Sequence, residues 1–370
     1  MVQLLKSLAV ALALPVALAH PGEDKEMMKR EMVARNLQHA KASRALSACQ
    51  GSPRAKALKS RAAARRAAKA HELRVKRGLI KEQMSHRKRD LTNLEYYTTI
   101  DHNRTDTVQV GCGAPLEQTI FGSNNTCALV PETTIGPYYV TGEALRQDIT
   151  EGQAGVPMHI DLQFVDMNTC EPVPDIIADV WHCNSTGVYS GVDAEGEGGL
   201  DSTFLRGIQI SDKDGVSAFD SLFPGHYDAR ITHFHLVAQK NYTLLPNDTY
   251  VGGTTLHVGQ IYFDDSLIDA VEATYPYSTN DIAFTSWEID GWMLEEATDD
   301  YDPFVEYVQL GDDLSDGLLT WITIAVDLSS DHSSNRTAAA YYYEDGGVPS
   351  NNTGKGLPPS NPNAPTPGGS

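Results

Sequence analysis

From Leu91 to about Asp327 the chain is broken every eight to twelve residues by Gly, Pro, Asn or Asp, and the segments between the breaks are short and β-rich. Breaks at that spacing leave room for strands but not for helices of ordinary length. Val156–Val165 and Ile176–His182 read as strands, and Gly317–Val326 as a late strand closing the domain. The expected fold class is all-β, a β-sandwich catalytic domain over residues 91–329. No linker or internal repeat divides it, and its length suffices for a substantial core.

The flanks differ from this body. Residues 1–19 carry Lys6, an apolar run from Leu8 to Leu18 and the ending Ala17-Leu18-Ala19, the pattern of a signal peptide. Secretion to the extracellular space is therefore expected. No later stretch approaches the roughly 18 apolar residues of a spanning helix, so no membrane anchor is expected. Asn103, Asn124, Asn184, Asn241, Asn247, Asn335 and Asn351 each begin an Asn-x-Ser/Thr acceptor, which suits a glycosylating secretory route.

Residues 20–90 contain 20 Lys/Arg against 7 Asp/Glu and lack a strand pattern, so they read as a basic helical pro-segment or arm. The dibasic pairs Lys76-Arg77 and Lys88-Arg89 fit either a segment removed by a processing protease or an arm kept against the acidic body. From Leu91 onward there are 8 basic and 42 acidic side chains. A secretory address and an acidic body argue against nucleic-acid binding. The acidic surface also repels anions at long range, which favours a neutral small-molecule substrate. Residues 330–370 turn to Ser, Asn, Gly and Pro and read as a low-complexity tail, disordered from about Val348.

An oxidising route makes disulfides the default for the five cysteines. The compact pairing joins Cys112 to Cys127 and Cys170 to Cys183, leaving Cys49 free, removed, or paired between chains; spacing alone leaves the connectivity open.

Chemistry concentrates in Phe219–Leu236. Ile231-Thr232-His233-Phe234-His235-Leu236 alternates apolar and polar residues, so a strand presents His233 and His235 on one face about 7 Å apart, where both imidazoles can grip one ion. Phe223-Pro224-Gly225-His226-Tyr227 is a turn that presents a phenol beside them. Upstream, Trp181 to Tyr189 ends a strand, turns at Asn184-Ser185-Thr186-Gly187 and presents Tyr189. Arg206-Gly207 through Asp212 to Gly215 then leads into a further turn.

These blocks, Trp-x-x-Asn-x-x-Gly-x-Tyr, Arg-Gly-x-x-x-x-Asp-x-x-Gly, Pro-Gly-x-Tyr and Arg-x-x-His-x-His, resemble in order those of the intradiol ring-cleavage dioxygenases, and most closely the secreted fungal branch. The resemblance runs from about Thr133, through Gly136-Pro137, to Gln260-Ile261-Tyr262-Phe263. It implies a non-haem ferric ion, Fe(3+), held by Tyr189, Tyr227, His233 and His235. It also implies cleavage of a catechol-type ring by O2 between its two hydroxylated carbons, giving a muconate-type dicarboxylic acid. Two phenolates suit Fe(III) better than Fe(II), since a trivalent cation lowers the pKa of a phenol and is neutralised by it. By the same resemblance Tyr227 is the phenolate that leaves the metal and takes a substrate proton. Arg230 binds substrate and stabilises carbanion character on the ring, and Gln260 is a polar neighbour of the substrate.

Only five residues separate Tyr227 from His233, fewer than in cytoplasmic members of that family, which implies a more open pocket wall. The helical dimerisation segment of the catechol-specific members is not evident, so the oligomeric state stays open, with a homo-oligomer among the alternatives. Tyr138, Tyr139 and Trp181 are expected to pack the core, and His182, His226 and His257 match no family role. Two other readings compete. One is a secreted β-sandwich binding module with structural zinc or copper. The other is a cupin, which lacks here the glutamate expected soon after His235.

Overall fold

A computed structural model of the chain describes residues 40–79, 121, 135–136, 138–285, 290, 303–343 and 345–350. The expected signal segment, Lys88-Arg89, Cys112, Cys127 and residues 351–370 lie outside the described residues.

Two four-stranded sheets form the expected sandwich. One has the order β5 (Val216–Leu222), β2 (Pro157–Asp166), β9 (Leu318–Val326), β8 (Glu306–Gln309). The other runs β4 (Arg206–Ile210), β3 (Ile177–Trp181), β6 (His233–Leu244), β7 (Tyr250–Tyr262). Met158, Ile160, Leu162 and Phe164 alternate along β2 and meet Ala178, Val180, Phe234, Leu236 and Ala238 from the facing sheet in one apolar core. The late strand β9 is central, pairing in parallel with β2 and antiparallel with β8.

Both outer faces are covered. A helix α1 (Pro53–Lys76) lies over the β5-β2-β9-β8 sheet, capped by the Ser52 hydroxyl, which accepts from the Ala55 N–H at 3.1 Å, and ended by Arg74 and Lys76. Its Ala63, Ala70 and Leu73 pack on Val308, Leu310, Leu319 and Trp321. Arg65 and Arg66 reach down to Asp161 on β2, at 3.0 and 3.4 Å. Along this helix and the helical segment before it, Lys41, Arg54 and Arg61 pair with Asp327, Glu171 and Asp214. The described part of the basic segment, residues 40–79, is thus a layer of the fold, tied to acidic side chains of the body through Lys41, Arg54, Arg61, Arg65 and Arg66.

The β4-β3-β6-β7 sheet is covered by a small third sheet, β1 (Val140–Thr141), β10 (Ala340–Tyr343) and β11 (Gly346–Pro349). Val140, Ala340 and Tyr341 pack there with Trp181, Tyr189, Val237 and Val258. This corrects the C-terminal boundary: residues 340–349, expected to be tail, form two strands. They are ordered because Ala340-Tyr341 buries apolar surface that the facing sheet leaves open.

The disulfide expectation is corrected too. Cys49 pairs with Cys170, joining the basic arm to the body, and Cys183 is a free buried thiol whose Sγ approaches the Gly225 carbonyl at 3.2 Å. Among the described residues no helix is long and apolar enough to cross a membrane.

Candidate metal and substrate site

β6 begins with His233-Phe234-His235, and strand alternation turns both imidazoles onto the outer face of their sheet, beneath the β1-β10-β11 layer. Trp181 lies across from His235 in the ladder, and its indole stacks on the His235 ring, with centroids 4.8 Å apart and planes 3° from parallel. Gly136, at φ +77°, closes over the same imidazole; a Cβ there would stand 2.9 Å from His235 Cε1.

Two turns deliver the phenols. Asn184 Oδ1 accepts from the N–H groups of Thr186 and Val188 at 3.0 and 3.1 Å, an Asx-type turn that presents Tyr189. Gly225 packs the Pro-Gly turn directly on this one. Its N–H donates to the Asn184 carbonyl at 3.1 Å, and a Cβ would come within 2.6 Å of the Asn184 and Ser185 carbonyl oxygens. The result brings the Tyr189 and Tyr227 rings edge to face, 5.3 Å apart.

Three polar atoms converge. Tyr227 Oη lies 3.2 Å from His233 Nε2, which lies 3.2 Å from His235 Nε2. The His233 Nδ1–H donates to the Ile231 carbonyl at 2.5 Å, so Nε2 presents a lone pair inward. Ligand atoms bound to one metal at about 2.0–2.2 Å are separated by roughly 3 Å, so this spacing suits a coordination shell. Tyr189 completes the set: its hydroxyl is fully buried and makes no hydrogen bond of ordinary geometry. Burial, then the neighbouring Tyr227, push the Tyr189 pKa far up. Burial pushes that of Tyr227 up to about 12, against the pull of Arg230. Two phenols buried against each other are poorly satisfied, and a cation at this point would satisfy both and reverse both shifts. Among the described residues no cluster of three His, Cys, Asp or Glu could hold a metal, so a metal here must draw on the tyrosines.

Arg230 and Gln260 stand together beside the four. The wholly buried Arg230 donates from Nε to Asp290 Oδ2 at 3.0 Å, from Nη2 to Gln260 Oε1, and more weakly to the Tyr262 hydroxyl at 3.5 Å. Asp290 also accepts the Ile231 N–H at 3.0 Å, fixing the strand entry. Burial would raise the Asp290 pKa, but Arg230 outweighs it and holds the carboxyl below its usual value. Arg230 Nη1 is buried with no protein partner and is a donor left for a ligand.

All six residues singled out in the sequence thus lie in one place. Sequence reasoning missed Asp290, which no motif marks, and assigned Trp181 to packing alone although it seats His235. Two of the three unassigned histidines are engaged elsewhere. His182 bonds the Cys183 carbonyl and the Ser221 hydroxyl, and His226 bonds Glu272 and the Ile282 carbonyl.

Residues 134–267 match the model of the family described as Dioxygenase. No curated protein matches the chain. Among solved structures it is similar to an intradiol ring-cleavage dioxygenase from Tetranychus urticae, at 28% identity over 55% of this chain and 97% of that one, with a TM-score of 0.47. It is also similar to the dioxygenase domain of a dioxygenase and carbohydrate-binding fusion from Streptomyces sp. SirexAA-E, at 19% identity over 54% and 99%, TM-score 0.35. A third is catechol 1,2-dioxygenase from Acinetobacter sp. ADP1, at 18% over 54% and 63%, TM-score 0.36. The family match covers the segment that carries Tyr189, Tyr227, Arg230, His233, His235 and Gln260, and that segment is similar to the Dioxygenase family.

Proposed function

We propose that the chain is an extracellular ferric-iron dioxygenase that opens neutral catechol-type rings between the two hydroxylated carbons with O2, giving muconate-type dicarboxylic acids. The observation that carries this reading is the convergence of Tyr227 Oη, His233 Nε2 and His235 Nε2 at 3.2 Å spacings beside the buried Tyr189 hydroxyl, which faces Tyr227. Two imidazoles and two phenols form a donor set suited to a hard trivalent cation. When bound, ferric iron supplies the charge that draws electron density from a chelated catechol.

The chain's own groups do the rest. Tyr227 is the one member of the four with part of its surface exposed, and it is the phenol placed to exchange with substrate and hold a substrate proton at Oη. Arg230 offers Nη1 to negative charge developing on the ring, held in place by Asp290 and Gln260. Tyr189, Trp181 and His235 are buried and keep water from the other side of the site. The signal-like start, the glycan acceptors and the Cys49–Cys170 bridge support an oxidising, extracellular setting.

The test is the visible spectrum and iron content of the purified protein, with and without catechol under anaerobic conditions, followed by oxygen uptake. A red-brown protein whose band shifts with catechol and which then consumes oxygen is expected. A colourless protein that takes up zinc or copper but no iron would support a structural metal module instead.

A further inference from the structure

The arginine of the Arg206-Gly207 block opens β4 opposite Trp181 and is 1% exposed. Its guanidinium is aimed at the residue that follows Tyr189. Nε donates to the Ser190 carbonyl at 3.0 Å and to Ser190 Oγ at 2.9 Å, while Nη2 donates to the same carbonyl at 2.7 Å. Ser190 Oγ donates onward to the Phe204 carbonyl at 2.6 Å. Nη1 faces Glu143 at 3.4 Å. Beyond these bonds, the Arg206 Cζ lies over the Tyr189 ring, 6.0 Å from its centroid. Burial, then the neighbouring Asp179, push Glu143 well above the usual carboxylate range, against the pull of Arg206. The Arg206 charge thus rests against the face of Tyr189, whereas the cationic neighbour of Tyr227 is Arg230.

We propose that Arg206 is a positioning residue for Tyr189 that also tunes it. The fork fixes the backbone one residue from the phenol, and the cation on the ring face lowers the energy of the phenolate electrons, weakening Tyr189 as a donor. The buried phenol Tyr189 is thereby held in place and made a weaker donor. This rests on the ferric reading of the site.

The test compares iron affinity, by chelator competition, and the energy of the phenolate-to-iron absorption band in wild type, Arg206→Lys and Arg206→Met. Losing a group that orients a metal ligand typically lowers metal affinity by about 10- to 100-fold, and both variants are expected to show such a loss. The band separates the two roles: it moves to longer wavelength in Arg206→Met, where the charge is gone, and stays near the wild-type position in Arg206→Lys, which retains it. In a Tyr189→Phe background, Arg206→Met should leave the remaining band unmoved. Should Arg206→Met not fold, Arg206→Lys and Ser190→Ala carry the positioning claim through reduced iron affinity at unchanged band energy. A coloured wild type whose Arg206 variants keep both affinity and band overturns the proposal alone. A colourless, iron-free wild type overturns the ferric reading and the proposal with it.

Discussion

Replacing Asp161 by Ala tests whether the basic helix is structurally part of the enzyme. Asp161, 5% exposed, accepts two bonds from Arg65, at 3.0 and 3.1 Å, and one from Arg66 at 3.4 Å. Arg66 is 3% exposed; without the carboxylate it keeps only the Phe121 carbonyl at 3.1 Å, the Trp321 ring at 5.4 Å and the field of Glu306. Removing one partner of such a buried pair leaves a cation uncompensated and costs about 3–5 kcal/mol. For a domain of this size that is a fall in Tm of roughly 6–20 °C. Arg66→Met should cost less, because Asp161 keeps its two bonds from Arg65. The double variant Asp161→Leu/Arg66→Met should recover much of the loss, since an apolar pair of similar volume replaces a buried ion pair with little net penalty. The assay is thermal and urea unfolding of wild type, Asp161→Leu, Arg66→Met and the double variant as a double-mutant cycle, with Asp161→Ala measured beside them. An Asp161→Ala protein within about 1 kcal/mol of wild type would mean that the pair is screened by water and that the helix is not seated as described.

Three further outcomes follow. His182 and His257 are buried and neutral, with burial lowering their pKa values to about 4 and about 3. A histidine lowered on folding contributes stability that is complete above its unfolded pKa near 6.5 and is lost as pH falls toward the folded value. Urea midpoints should therefore drop between pH 6.5 and 4.5 by on the order of 2–3 kcal/mol per histidine, and His257→Leu should flatten that limb. The Cys49–Cys170 bridge closes a separation of 121 residues, a loop worth about 4–5 kcal/mol of unfolded-state entropy, so Cys49→Ser should unfold correspondingly earlier. Cleavage after Arg89 should give fragments that separate on a gel only after reduction. In a glycosylating host, peptide mass spectrometry should find glycans on the exposed Asn241 and Asn247 but none on Asn184, whose side chain is tied to Thr186, Val188 and Gln153.

How much was legible in the sequence depended on whether the information was local. Alternation is a property of adjacent residues, so the strands around Val156–Val165 and Ile176–His182 and the shared face of His233 and His235 could be read directly. The two phenols were legible because turn chemistry at Asn184 and Gly225 is written in short motifs. Contacts made across the chain were not. The Cys49–Cys170 pairing depends on where the basic arm docks, and a compact local pairing overlooked that. Asp290 reaches Arg230 over a separation of 60 residues with no motif at its end. Trp181 looked like ordinary core because its stacking partner lies on another strand.

The C-terminal strands show what such a miss costs. Judged by composition, the chain could end near Ser329 without harm, yet β10 lies on the loop that carries Tyr189. The Tyr342 hydroxyl donates to the Ser202 carbonyl, Gly191 packs against the Tyr342 ring, and Tyr341 is 2% exposed in the cluster with Trp181 and Tyr189. Removing residues 331–370 would therefore uncover the outer face of the sheet that presents both histidines. Tyr341→Ala alone should cost about 3–5 kcal/mol, the usual range for a buried aromatic truncated to a methyl group. The loss should appear first as protease sensitivity within 190–202 and only then as global unfolding, because β10 touches that loop and not the core between the two large sheets. A chain ended after Ser350 is the control. Equal protease resistance in the chain ended after Ser330 and in this control would show that the Tyr189 loop holds its place through Arg206 and Asn184 alone, with β10 as a passive cover.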